Sequence, residues 1–384
     1  MTSPTIAYPR AFRNIAAKHA LLKHLDAASG SSRCPATCIS NMQRAIDRLE
    51  ITTHIPNREK EFYRMISRFF SIAREDGLSE AIAGAKRYYE DNVFLGHRLR
   101  IQFLRWRHEP IIQKEIHGSQ MKLDTRQKGV HTDLALYGTR EKHSMEYYKQ
   151  RLAELGEEYE DVVVLDIGAN IGHLALLAAS QIPHARVYAF EPDPRNNKWL
   201  TENIRLNNYN NIETSELAFG STPGTATLQI HQESNLSKIS DVTTDDDNIE
   251  KTVEVKVTTI DDIMRDIETT SETLVVLRMD TEEYEFEIFK GANELLESDL
   301  PLYTFTELHY RHVSLEELEW LVNRLDDCGL SVEQIRDGLG RHEEPIGSNW
   351  NDFREVKDDG LSYPWRFDKV SVGLTHLFAH RSNS

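Results

Sequence analysis

Cysteine is scarce, with three residues in a chain of 384. So few, and an odd number, exclude a disulfide framework and fit a reducing compartment, so a cytoplasmic protein is expected. Cys34 and Cys38 are spaced like half of a zinc site, but no second Cys/His pair lies nearby to complete tetrahedral coordination. Long apolar runs are missing too. No stretch approaches the roughly 18 residues that a membrane span needs, and mean hydropathy is -0.53, which argues against an integral membrane protein. No signal-peptide core is present. Residues 1–25 contain no acid and carry Arg10, Arg13, Lys18 and Lys23, which reads as a basic surface helix rather than a transit peptide.

Positive charge is thin outside the first part of the chain. Residues 1–150 hold 25 Lys and Arg against 16 Asp and Glu, whereas the remainder holds 20 against 46, giving a net charge of -17. A surface that acidic repels a nucleic-acid backbone, so DNA is not an expected partner. The basic segment is the one place where a polyanion or an anionic membrane surface would dock. Several catalytic signatures are absent as well. There is no Asn-Pro-Pro-Tyr type tetrapeptide for base amino methylation, no Pro-Cys nucleophile and no Gly-x-Ser-x-Gly elbow. The dinucleotide fingerprint fails at its third position, where Asn170 stands between Gly168 and Gly172.

What the chain does have is Val162-Val-Val-Leu-Asp-Ile-Gly-Ala-Asn-Ile-Gly172. Four apolar residues predict a strand buried on both faces, Asp166 closes it, and His173-Leu-Ala-Leu-Leu-Ala-Ala179 opens a helix. Strand, glycine turn and helix build a ligand crevice at the carboxyl edge of an open α/β sheet. Downstream, strands are expected at 186–190, 212–219, 274–279 and 302–305, with helices at 195–206, 282–296 and 315–328, as in a mainly parallel sheet. Residues 225–230 and 252–257 predict an antiparallel insert around the acidic linker 241–250. Residues 330–335 and 372–379 predict an antiparallel edge hairpin, and the long loop 338–365 between them is of lid length.

Upstream, 121–137 alternates like a hairpin or edge strands. Residues 138–155 predict a helix with Met145, Tyr148, Leu152 and Leu155 inward, stopped by Gly156. Residues 1–120 read as a basic, mostly helical extension, and 121–384 as the main domain. Within the extension, 59–75 places Phe62, Ile66, Phe69, Phe70 and Ala73 on one helical face, and 78–89 predicts a second helix. The arginine-aromatic run 98–108 reads as a cap helix with solvated arginines rather than a membrane-surface element.

Glu191 lies 25 residues after Asp166, at the end of the second strand. An acid there accepts hydrogen bonds from both hydroxyls of a ribose, at an interval close to the ~20 residues of dinucleotide folds. Asp280 and Glu282 follow the 274–279 strand, and Glu307 and His309 stand at the same edge. Carboxylates and an imidazole there suit a general base or acceptor binding. Asp280, Glu307 and His309 are an alternative divalent-metal set, though no metal is predicted.

Five ordered motifs, Asp166-Ile-Gly-Ala-Asn-Ile-Gly172, Phe190-Glu-Pro-Asp-Pro194, Asn203-Ile-Arg-Leu-Asn207, Leu217-Ala-Phe-Gly220 and the run from Met279 to Ala292, resemble those of FkbM-type methyltransferases. The resemblance covers roughly residues 120–310. It implies the class I (Rossmann-like) α/β methyltransferase fold and use of S-adenosylmethionine, with Asp166, Gly168, Asn170, Gly172, Glu191 and Ala218 on the cofactor. Gly168 and Gly172 let backbone approach the ligand, and Asp166 and Asn170 would hold the methionyl end. It also implies O-methylation of a sugar hydroxyl or uronic acid carboxylate on a glycan, glycolipid or related metabolite, with Asp280, Glu282 and His309 assisting. One position departs from the pattern: the family's Asp-x-Glu-Gly is Asp280-Thr-Glu-Glu283 here, so a tight turn must form without glycine. RNA methylation through the basic extension, and a non-catalytic binding module, are the rival expectations.

Overall fold

The computed structural model describes, besides residue 101, residues 110–231, 237–239, 249–309, 313–338, 343–352 and 374–382. The chain divides into two compact units, residues 1–99 and residues 100–384. The helices expected at 59–75 and 78–89, nearly all of 98–108, Cys34 and Cys38 lie outside the described residues. No helix among the described residues is long and apolar enough to cross a membrane.

The second unit opens with a hairpin, β1 (Ile111–Ile116) and β2 (Ser119–Asp124). Its two-residue turn, His117 and Gly118, has φ of 51° and 88°, the doubly left-handed geometry that matches the strand twist. The hairpin spans residue 120, with Gln120 opposite Glu115. Helices α1 (Val130–Tyr137) and α2 (Lys142–Glu158) follow, then β3 (Val162–Ile167), α3 (His173–Gln181), β4 (Arg186–Phe190), α4 (Pro194–Arg205) and β5 (Ile212–Ser215). A second set comprises β6 (Ala218–Phe219), β7 (Gly224–His231), β8 (Lys238–Ile239) and β9 (Ile249–Thr258). After α5 (Ile260–Asp266) come β10 (Leu274–Met279), α6 (Glu285–Lys290), α7 (Asn293–Glu297), β11 (Leu302–His309), α8 (Leu315–Asp327), β12 (Ser331–Asp337) and β13 (Leu374–Arg381).

The main sheet has the order β12-β13-β11-β10-β3-β4-β5. β13 runs antiparallel to both neighbours and every other pairing is parallel. This is the class I methyltransferase arrangement, with its edge hairpin where the sequence predicts it. β3 and β10 are buried along their whole length, as continuous Val/Leu/Ile strands require when helices cover both faces. From β3 the chain proceeds outward to β4 and β5, and from β10 in the opposite direction to β11. The topological switch therefore falls between β3 and β10, where open α/β sheets bind ligands.

Four local expectations are corrected. Residues 130–137 are helical rather than extended, because Val130 and Leu134, one helical turn apart, pack on Met121 and Leu123 of β2. Helix α2 passes Gly156 and ends at Glu158. The 212–219 strand divides: β5 joins the main sheet, while β6 pairs with β9 in the second. The 282–296 helix begins at Glu285 and breaks at Gly291, where a Cβ would lie 2.2 Å from the Gly220 carbonyl oxygen. The inward set Phe286, Phe289, Leu295 and Leu296 is nonetheless buried.

The Asn203–Asn207 motif has a structural task. One helical turn apart on and just after α4, the two side chains face the open edge of β2. Asn203 Oδ1 accepts from the Lys122 amide at 2.8 Å and Asn207 Oδ1 from the Gln120 amide at 2.9 Å. Asn203 Nδ2 donates to the Ile171 carbonyl at 2.9 Å, tying the glycine turn to the same helix. Side-chain amides thus complete an edge that backbone leaves unpaired.

Candidate cofactor and acceptor site

The turn after β3 is left-handed at Gly168 (φ 79°), Asn170 (51°) and Gly172 (91°). A Cβ on Gly168 would fall 1.9 Å from the Asp280 carbonyl oxygen, so the ends of β3 and β10 meet at a distance that only glycine permits. A Cβ on Gly172 would meet Leu200 Cδ1 of α4 at 2.7 Å. Glu191, just past β4, is held by two backbone donors. Its Oε2 accepts from the Asn170 amide at 2.7 Å and its Oε1 from the Asp193 amide at 2.8 Å. Burial pushes the Glu191 carboxyl up to about 8, against the pull of these two amides.

Gly168, Asn170, Glu191, Ala218 and Asp280 line one cleft of about 640 Å³, its open mouth included. Leu228 and Ile239 of the second sheet form an apolar wall, and Tyr284 stands on the β10 side. That wall is anchored by Arg195, whose guanidinium donates to Asp193 Oδ2 (2.9 Å), the His231 carbonyl (2.8 Å) and Glu250 Oε2 (2.7 Å). Two of the residues expected on the cofactor stand outside the cleft lining. Asp166 is buried inside the sheet, opposite Arg278 in register, and its Oδ1 accepts from Arg278 Nη1 at 3.2 Å. Burial raises its pKa and Arg278 opposes the rise. Gly172 caps α3.

Arg278 is the hinge between cleft and acid cluster. Nη1 donates to the Gly168 carbonyl at 2.8 Å and Nη2 to Asp280 Oδ2 at 2.9 Å. Beyond it, β11 runs farther than expected, so Glu307 and His309 are strand residues facing the end of β10. His309 Nδ1 lies 3.1 Å from Glu285 Oε1, and Nε2 lies 3.4 Å from Glu282 Oε2 and 3.8 Å from Glu307 Oε1. Although burial disfavours the imidazolium, Glu285, Glu282 and Glu307 hold the His309 pKa well above its ordinary value. Burial pushes Glu282 up to about 8 and, with help from Glu307, Asp280 up to about 6. The four residues 280, 282, 307 and 309 are thus brought together, and only Asp280 among them lines the cleft.

Glu283 fills the position of the family glycine at φ 77°, and Glu282 precedes it at 53°. The turn that glycine would make is therefore formed by two left-handed glutamates. Fully buried Glu285 stabilises it by accepting from the Thr281 amide and hydroxyl at 3.0 and 3.1 Å.

Sequence reading overlooked Arg278, Glu285, Glu141 and His376. Arg278 did carry a signal, a lone cation inside a strand otherwise buried on both faces. Glu141 and His376 enter the cluster from the start of α2 and from β13, and only tertiary register brings them there.

Residues 166–332 match the methyltransferase FkbM domain model. Over 57 residues the chain is 46% identical to the uncharacterized protein MJ1452 of Methanocaldococcus jannaschii, which is 15% of this chain and 21% of that protein. The chain thus spans about a fifth of the length of this curated relative. Among solved structures, M. jannaschii TYW2 in complex with AdoMet is 16% identical, with 71% of this chain and 85% of that one covered and a TM-score of 0.32. Precorrin-6y C5,15-methyltransferase from Geobacter metallireducens is 13% identical, with 62% and 89% covered and a TM-score of 0.30. Motif order and family match thus agree over residues 166–332, the part of the chain that is similar to the methyltransferase FkbM domain.

Proposed function

We propose that the chain transfers the methyl group of S-adenosylmethionine to an oxygen, on a sugar hydroxyl or a uronic acid carboxylate of a glycan or glycolipid. The observation that carries this reading is the continuity of the site. A cleft with a ribose-type glutamate at one end reaches, through Asp280, a cluster of carboxylates and an imidazole. Carboxylates accept hydrogen bonds and the His309 imidazolium donates them, and a polyhydroxylated acceptor answers both. In this reading Glu191 takes the ribose hydroxyls, Leu228 and Ile239 enclose the apolar part of the nucleoside, and the Gly168–Asn170 backbone faces the methionyl end.

The chemistry is a direct displacement. An oxygen lone pair forms the new C–O bond as the C–S pair returns to sulfur, leaving a neutral thioether. Most of the acceleration comes from holding oxygen, carbon and sulfur in line. A hydroxyl acceptor gives its proton to Asp280, the acid in the cleft, with Glu282 and His309 behind it. A carboxylate acceptor needs no base. The basic N-terminal segment would bring the enzyme to a lipid-linked acceptor, and indifference of the full chain to anionic vesicles at low salt sinks that part.

Calorimetry with S-adenosylmethionine, using Glu191→Ala as control, tests the cofactor reading. Mass spectrometry of candidate glycans incubated with enzyme and cofactor tests the acceptor. Methylation found on nitrogen instead of oxygen overturns the proposal.

A further inference from the structure

Two histidines converge on one carboxylate from opposite sides. His309 on β11 and His376 on the adjacent β13 are both anchored through Nδ1, to Glu285 Oε1 at 3.1 Å and to Ser144 Oγ at 2.7 Å. Each therefore presents Nε2 to Glu307: His309 lies 3.8 Å from Oε1, and His376 lies 3.5 Å from Oε2. Glu141 closes the second group, its Oε2 3.8 Å from His376 Nε2.

His376 is wholly buried and its Nε2 has no hydrogen-bond partner. An imidazole that simply paired with Glu307 would close to the usual ~2.7–3.2 Å, and it does not. Its ring is fixed the way metal-ligating histidines are fixed, by a polar group on the other nitrogen. One ligand atom from each of Glu141, Glu307 and His376 lies within 4.8 Å of the other two. Around a cation with bonds of ~2.1 Å, neighbouring ligand atoms stand roughly 3.0–3.4 Å apart, so a contraction of a few tenths of an ångström brings each of the two carboxylates to that spacing from His376 Nε2. Among the described residues no arginine or lysine stands within ion-pair distance of Glu307, although Arg140, paired with Glu141, and Arg278, paired with Asp280, both act on it through space.

We propose that Glu141, Glu307 and His376 bind a divalent cation of intermediate hardness, with Mn²⁺ and Zn²⁺ the ions that suit two carboxylate oxygens and one imidazole nitrogen. Three protein ligands leave positions open for acceptor oxygens. A carboxylate oxygen of Asp280, which lines the cleft, lies within 4.8 Å of one on Glu307. This deepens the proposed acceptor reading and rests on it: the ion would bind a pair of acceptor oxygens and polarise the one that is methylated.

The test is Mn²⁺ binding to the full chain, followed by electron paramagnetic resonance and by calorimetry with Zn²⁺ in competition. Binding of S-adenosylmethionine is measured in parallel. One chelator-removable Mn²⁺ per chain is expected, with at least tenfold weaker binding in His376→Ala and in Glu141→Gln and cofactor affinity unchanged in both. Glu141→Gln, at the partly exposed ligand, decides the matter should His376→Ala fail to fold. Failure of Mn²⁺ and Zn²⁺ to bind, or equal binding by wild type and Glu141→Gln, overturns the site. Because metal binding is read without turnover, that result leaves methyl transfer standing, whereas loss of cofactor binding by the wild type would sink methyl transfer instead.

Discussion

Glu191 is gripped by two backbone amides before any ligand arrives, which fixes its carboxylate toward the cleft and leaves proton occupancy as its one variable. With its carboxyl pushed up to about 8 by burial, the ligand-free protein keeps that proton through neutral pH. Ribose hydroxyls donate hydrogen bonds, and accepting two of them favours the ionised form. Cofactor binding should therefore expel a proton. Affinity is expected to climb by up to about tenfold per pH unit below about 8 and to level off above it. Calorimetry between about pH 6 and 9, in two buffers of different ionisation enthalpy, reads both the slope and the proton release. A flat profile would remove Glu191 from the ribose.

At the scale of elements, the turn from β10 to α6 and the second sheet each carry a consequence. Left-handed backbone is unfavourable for a residue with a Cβ by roughly 1–2 kcal/mol, and part of that is offset by the entropy glycine loses on folding. Glu283→Gly is expected to raise stability by about 0.5–1 kcal/mol, measured as a shift in the denaturant midpoint at constant slope. An unchanged or lower midpoint would mean that the Glu283 side chain compensates its own backbone. Arg195 ties the start of α4 to the wall that bears Leu228 and Ile239. Arg195→Ala should loosen that wall and weaken cofactor binding several-fold, while far-UV circular dichroism stays that of the wild type. Unaltered affinity would show that the wall holds itself.

For the molecule as a whole, sequence reading succeeded where burial is periodic and failed where tertiary contacts decide. β3 and β10 were legible because strands buried on both faces read as apolar runs, and α2 because its inward residues recur at helical spacing. The break at Gly291 was not, since it answers to a carbonyl some 70 residues away in sequence, on Gly220. Asp166 shows the same limit, for nothing local to it announced the register partner Arg278, from which its Oδ1 accepts. His376 offered no local sign at all; it reaches the cluster only because β13 inserts beside β11. A site assembled from β3, β4, the second sheet and the end of β10 lies astride the sheet's switch point, and a ligand filling it would couple those elements to one another. S-adenosylmethionine at about 100 times its dissociation constant should add ~2.7 kcal/mol to the stability of the unit that contains the site. For a domain of this size that is a rise in melting temperature of roughly 5–10 °C. Glu191→Ala should forfeit most of the rise while melting cooperatively without ligand. Equal shifts in wild type and variant would place the cofactor somewhere other than this cleft.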